Sequence, residues 1–164
     1  MNSVLPQSPS ARKQDTAGVP ATNLFVVLTF FSYGTAMMDY FLVYPSRAIV
    51  GAGEFVAYHA LLEDRILPIS VVPFALMTVL NLLLLWYRPA DVPKGLIRLS
   101  LLCLLLDWAS SILVQIPMNL QLNEGKDLLL IQQVMDTNYG RIFLESAQAL
   151  IAFLILNKRT RQPQ

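Results

Sequence analysis

Residues 24–44 are almost wholly apolar. At 1.5 Å per residue, a helix of that length matches the ~30 Å hydrocarbon thickness of a bilayer. Comparable stretches follow at 54–87, 96–122 and 126–157, separated by short polar breaks. Composition points the same way: 55% of the chain is hydrophobic and 14% charged, against roughly 25% charged in a soluble domain. The expected fold is therefore all-α, a four-helix transmembrane bundle running up-down-up-down. Residues 1–23, rich in Ser, Pro, Gln, Ala and Thr, read as a disordered cytoplasmic tail. Residues 24–157 form the membrane domain, and 158–164 a basic cytoplasmic tail. A signal peptide is excluded because the first apolar run is too long and no small-residue cleavage pattern closes it.

The second stretch has no strong break from Glu54 to Tyr87, although Pro68 and Pro73 are placed to kink it. A helix of that length is about 50 Å long, and its first part, EFVAYHALLEDR, is too polar to face lipid. Helix 2 is therefore expected to project beyond the membrane, and the amphipathic start of helix 4 to do the same on that side. Small residues in helix 1 (Ser32, Gly34, Thr35, Ala36) suit close helix contact, and Tyr44-Pro45 marks its exit at the headgroup level. Pro117 is placed to bend the end of helix 3.

Basic residues set the orientation. With four spans both termini share one side, which carries Arg12, Lys13, Arg88, Lys94, Arg98, Lys158, Arg159 and Arg161. The other side has Arg47, Arg65, Lys126 and Arg141. That bias places both termini in the cytoplasm, of a bacterial cytoplasmic membrane on the grounds of brevity and simplicity. A net charge of +1 suggests no nucleic-acid partner. The single Cys103 allows no internal disulfide.

Residues 111–148 gather Gln115, Asn119, Asn138, Arg141, Glu145 and Gln148 at the outer end of helices 3 and 4. Asn138, Arg141, Glu145 and Gln148 recur at spacings of three and four and share one helix face. Arg141 and Glu145 read either as an ion pair sealing the bundle or as a fixed cation offered to an anionic or carbonyl oxygen. On helix 3, Asp107, Ser111 and Gln115 step by four. Asp107 lies near mid-membrane, where a lipid-facing carboxylate costs about 2.5–3.5 kcal/mol, so it must face the bundle; Asn81 is its expected partner. His59 and Glu63 lie one turn apart on helix 2, and His59 is the natural proton acceptor. A metal site built from Asp39, Glu54, His59, Glu63 and Glu145 does not match the spacing of di-iron bundles, so no metal is expected. The aromatics Phe30, Phe31, Tyr33, Tyr40, Phe41 and Phe55 are candidates for lining an apolar pocket. No Gly-rich phosphate loop and no nucleophile triad motif is present.

Two short elements carry a family resemblance. IPMNLQLN at 116–123 resembles the V-P-L-N-x-x-L signature of the anthrone-oxygenase-like family of small four-helix membrane proteins. TNYGRIFLES at 137–146 is similar to that family's W-x-x-W-N-x-x-R element, with Asn138 and Arg141 at the matching places and both tryptophans missing. FVAYHALLEDRILPISVVPF at 55–74 is similar in rhythm to its outer segment. The resemblance implies oxidation of a lipophilic aromatic or quinol-like molecule without a tightly bound organic cofactor. His59 would then take the substrate's proton, and Arg141, Asn119 and Asn138 would stabilise the oxyanion, with Glu145, Gln115 and Gln148 extending the polar stripe. The alternative is a non-catalytic membrane assembly subunit whose polar cap docks another membrane protein.

Overall fold

The computed structural model describes residues 9–160, with side chains from 18 to 159. Among them there is no strand, and four helices are long and apolar enough to cross a membrane. We label the continuous rods α1 (9–49), α2 (Ala52–Tyr87), α3 (Lys94–Glu124) and α4 (Leu128–Thr160). The burial pattern inverts that of a soluble protein. Leu113, Phe143 and Phe41 are each more than two-thirds exposed, while Asn81, Ser100 and Asp107 are buried. Leucines turned outward around a polar interior find their solvent in lipid, and the chain is an integral membrane protein.

Three rods share one irregularity. The N–H of Tyr44 bonds the carbonyl of Asp39, that of Val72 the carbonyl of Leu67, and that of Ile116 the carbonyl of Ser111. Each bond spans five residues rather than four, giving one π-helical turn at Asp39–Val43, Leu67–Val71 and Ser111–Gln115. Each of these turns is followed two residues on by a proline: Pro45, Pro73 and Pro117. A proline ring clashes with the carbonyl four residues earlier, which is Phe41, Ile69 and Leu113, the middle residue of each turn. Widening the turn relieves the clash and keeps the neighbouring carbonyls bonded, so the helix continues.

This corrects the sequence reading of α1. Tyr44-Pro45 is not its exit: the helix continues to Ile49, and Tyr44 is buried. Its start also differs. Residues 18–23, assigned above to a disordered tail, belong to α1: Thr22 is fully buried, and Gly18 lies so close to the Tyr87 carbonyl that no Cβ would fit there. The helix is described from Pro9, and residues 1–8 lie outside the described residues. At the other end α4 reaches Thr160, with Arg159 bonding Asn23 and pairing with Asp91 at 3.4 Å. Residues 161–164 of the expected basic tail are outside the description.

Two apolar plugs close the bundle. Near the termini Phe25, Met77, Leu84, Ile97, Leu104 and Ile155 pack together. At the opposite end Tyr44, Phe55, Leu122, Ile131 and Val134 do so. That end is tied by Lys126, whose ammonium donates to the carbonyls of Ala48 (2.9 Å) and Val50 (2.6 Å). Gly125 makes the turn into α4 at φ 149°, a conformation that favours glycine. The N–H groups of Leu129 and Leu130 then donate to the Asp127 carboxylate, which caps the helix.

Within the terminal half, the Asn81 amide donates to Ser100 Oγ at 2.6 Å. Ser100 Oγ in turn donates to Gln148 Oε1 at 2.7 Å, and the Gln148 amide donates back to the Ser100 carbonyl at 2.6 Å. This triad ties α2, α3 and α4 together. Ser100→Ala strands Asn81 and one Gln148 oxygen, and interhelical hydrogen bonds in membranes average about 0.6 kcal/mol each. The expected loss is about 1–2 kcal/mol, read from unfolding in mixed micelles, with wild-type stability as the contrary result.

Candidate functional site

Between the two plugs, one face of every rod lines a common space. Asp107 and Asn138 there are buried, and Arg141 carries 22% of its side-chain surface exposed. The Arg141 guanidinium donates through Nε to Asp107 Oδ1 at 2.7 Å, and more weakly to Asn138 Oδ1 (3.4 Å) and Glu145 Oε1 (3.5 Å). A guanidinium offers five donors in a planar fork, so one arginine engages a carboxylate from α3 and two side chains of its own helix. The partner of Asp107 is therefore Arg141, not Asn81 as expected. An ionic partner satisfies a mid-membrane carboxylate better than an amide, and Asn81 is already taken by Ser100.

Beside this cluster is a cavity of about 240 Å³, well above the ~10–15 Å³ a single water needs. From α4 it is lined by Asn138, Arg141, Ile142 and Glu145, and from α3 by Trp108, Ser111, Gln115, Ile116 and Asn119. From α2 come Glu63, Ser70, Val71 and Phe74, and from α1 Ser32, Thr35, Ala36, Asp39, Tyr44 and Arg47. All three π-turns contribute lining residues. The small side chains of α1, read from sequence as helix contacts, leave part of the open volume.

Of the residues singled out from sequence, Gln115, Asn119, Asn138, Arg141 and Glu145 line the cavity. Three do not. His59 is fully buried, stacked on Phe55 (ring centroids 5.7 Å apart, planes 8° apart), with Nε2 3.1 Å from the Asn119 carbonyl. Its nearest carboxylate oxygen is Glu63 Oε1 at 3.6 Å. The ring is one layer behind Asn119 and supports that residue from outside the cavity. Gln148 is spent on Ser100, one step toward the termini, and Asn81 is its companion there. Nor do the aromatics follow expectation: Phe30, Phe31 and Phe41 turn outward, and Tyr44, Phe74 and Trp108 line the site instead. Trp108 is held by its indole N–H, which donates to Thr78 Oγ1 at 3.0 Å, and by Phe74 at 5.2 Å between ring centroids.

Sequence reasoning missed Arg47, which it counted only for orientation. Arg47 is 3% exposed, lies 5.0 Å from the Tyr44 ring centroid, and donates from Nη1 to Asn119 Oδ1 at 2.6 Å. The Asn119 amide donates to the Gln115 carbonyl at 2.8 Å, which fixes that acceptor. Arg47 Nε has no partner, and among the described residues no carboxylate lies within ion-pair distance of it. The available signal was that Arg47 follows Tyr44 by three residues, which stacks the two on one face if the helix continues through Pro45. Also among the described residues, no three potential metal ligands converge.

Chemically, the site presents two guanidiniums, amides and hydroxyls to a space with aromatic walls. It suits a molecule with an oxygen-bearing head and an apolar body. Arg141→Gln removes the cation that pairs with both Asp107 and Glu145 and leaves these two buried carboxylates without it. Breaking such a pair costs about 3–5 kcal/mol, so R141Q should unfold at distinctly lower denaturant in mixed micelles. Adding Asp107→Asn should recover part of the loss. R141Q stability within about 1 kcal/mol of wild type would show that the pair is solvated.

No family model, curated protein or solved structure matches the chain, so the likeness to anthrone-oxygenase-like proteins rests on the short motifs at 116–123 and 137–146 alone.

Proposed function

We propose that the protein binds a lipophilic small molecule, aromatic or quinol-like, inside the bilayer, with its oxygen-bearing head in the cavity between Arg47 and Arg141. The observation that carries this reading is Arg47. A buried guanidinium is costly unless paired, and this one spends its one short bond on a neutral amide while Nε goes without. A ligand oxygen supplies the missing acceptor. Tyr44, Phe74 and Trp108 offer faces to an aromatic body. With the termini in the cytoplasm, as the basic residues direct, the cavity opens toward the outer leaflet, in the bacterial cytoplasmic membrane expected above.

Oxidation of that molecule is what the family resemblance adds. The geometry favours binding over catalysis, because His59, the residue needed to accept a proton, is separated from the cavity by Asn119. A purely scaffolding role fits less well, since polar residues that only seal a bundle pair off and leave no space.

The test is binding of a naphthoquinone, followed by quenching of Trp108 fluorescence in protein carrying Trp86→Phe. Saturable quenching is expected. Ala36→Phe fills the cavity without removing a hydrogen bond and should weaken it about tenfold or more, the equivalent of ~1.4 kcal/mol. Equal affinity in A36F would place the ligand elsewhere. Turnover of the corresponding quinol that survives His59→Gln would remove the proton-acceptor role implied by the resemblance.

A further inference from the structure

A second cavity, of about 170 Å³, lies between α1 and α2. It shares Thr35, Asp39, Tyr44, Arg47, Leu62, Ile66 and Ser70 with the first, so the two adjoin. The residues it adds are Met38 and Val43 on α1 and Arg65 and Ile69 on α2. Met38 is 59% and Ile69 49% exposed, on flanks where the neighbouring side chains are outward-facing Phe41, Leu42 and Leu67. The mouth therefore opens sideways, onto the lipid-facing surface of the bundle. Its walls are mostly apolar; the charged residues among them are Arg65, Arg47 and the acid Asp39, with Thr35, Tyr44 and Ser70 as the uncharged polar ones.

Resting on the binding reading above, we propose that the cavity also takes a single-chain amphiphile with an anionic head, and that this molecule enters laterally from the bilayer between α1 and α2. The head passes Arg65 and lodges against the Arg47 guanidinium, whose Nε has no partner among the described residues. The chain stays in the gap between Met38 and Ile69, in contact with both protein and lipid. Two cations in file along an apolar passage select for a negative head, and a side opening suits a molecule that never leaves the membrane. Two of the π-turns flank this passage, since Asp39 and Val43 belong to one and Ile69 and Ser70 to the other. The bulge that accommodates Pro45 and the one that accommodates Pro73 thus also hold the two helices apart at the opening. Asp39 lines both cavities as well, an acid that disfavours an anionic head anywhere but against the arginines.

The experiment uses full-length protein with Trp86→Phe in nanodiscs of a zwitterionic lipid, leaving Trp108 as the single tryptophan. The probe is stearic acid with a nitroxide near its carboxyl end. Saturable quenching of Trp108 is expected, displaced by unlabelled stearate or by lysophosphatidate, whose relative potency tells a carboxylate head from a phosphate. Octadecanol, with the same chain and no charge, should displace it about tenfold less well. Arg47→Gln should weaken binding by about tenfold or more, and Arg47→Lys should restore part of it. For the route, Met38→Cys and Ile69→Cys are combined with Cys103→Ser, and association is timed before and after linking the pair with a bis-maleimide. Linking should slow association about tenfold. Equal displacement by octadecanol, or unchanged binding in R47Q that still elutes as a folded bundle, overturns the anionic head. An unchanged association rate after linking overturns the lateral route. If the naphthoquinone binds saturably and stearate does not, the inference fails and the cavity reading stands; if neither binds, both fail.

Discussion

In hydrocarbon every backbone donor and acceptor has to be satisfied within the protein, and proline both removes a donor and crowds a carbonyl one turn back. This chain meets that conflict at Pro45, Pro73 and Pro117. Each time it inserts one residue into the turn, so that the helix proceeds with five-residue bonds at Asp39, Leu67 and Ser111. The three bulges widen their rods between the same two apolar plugs. A bundle of regular helices would draw together there; this one retains an opening. Polar side chains on the bulged turns (Asp39, Ser70, Ser111 and Gln115) then face that space rather than lipid.

Electrostatics divides the opening into two parts. Arg141 is engaged by Asp107, Asn138 and Glu145, and its charge is largely used within the fold. Arg47, reaching in from α1, bonds the Asn119 side chain and, among the described residues, has no carboxylate partner. The first arginine holds α3 against α4; the second leaves Nε without a partner, the observation on which the proposed ligand rests. His59 and Phe55 brace Asn119 from behind. That places the lone histidine in support of the acceptor that orients Arg47, a role consistent with its full burial.

Length and hydropathy were enough to read four rods, their order and the approximate ends of α2, α3 and α4, because a span of fixed thickness leaves little freedom. The α4 stripe was legible for the same reason: Asn138, Arg141 and Glu145 obey helical spacing along an unbroken helix. Legibility failed where the spacing rule itself fails. A π-turn rotates every later residue by most of a helical step, so α1 beyond Pro45 could not be extrapolated, and Tyr44 and Arg47 were read as headgroup and loop residues. The partner of Asp107 lay on another helix, and pairing across helices is decided by depth and competition. Ser100, a small residue without any motif, took both Asn81 and Gln148 and left Asp107 to Arg141. The aromatics of α1 were misplaced because outward-facing phenylalanine is ordinary for a lipid-exposed helix.

The bulged turns keep a water-accessible space open inside the bilayer-spanning bundle. Cysteine accessibility measures this directly. In a Cys103→Ser background, Ser111→Cys, Leu104→Cys and Leu113→Cys are each treated with a water-soluble methanethiosulfonate in intact nanodiscs. Ser111 lines the cavity, Leu104 is in the terminal plug, and Leu113 faces lipid. The account predicts rapid modification at position 111, slowed by bound ligand, and little at 104 or 113. Position 111 as inert as the other two would mean that the helices close on themselves and that no such space exists.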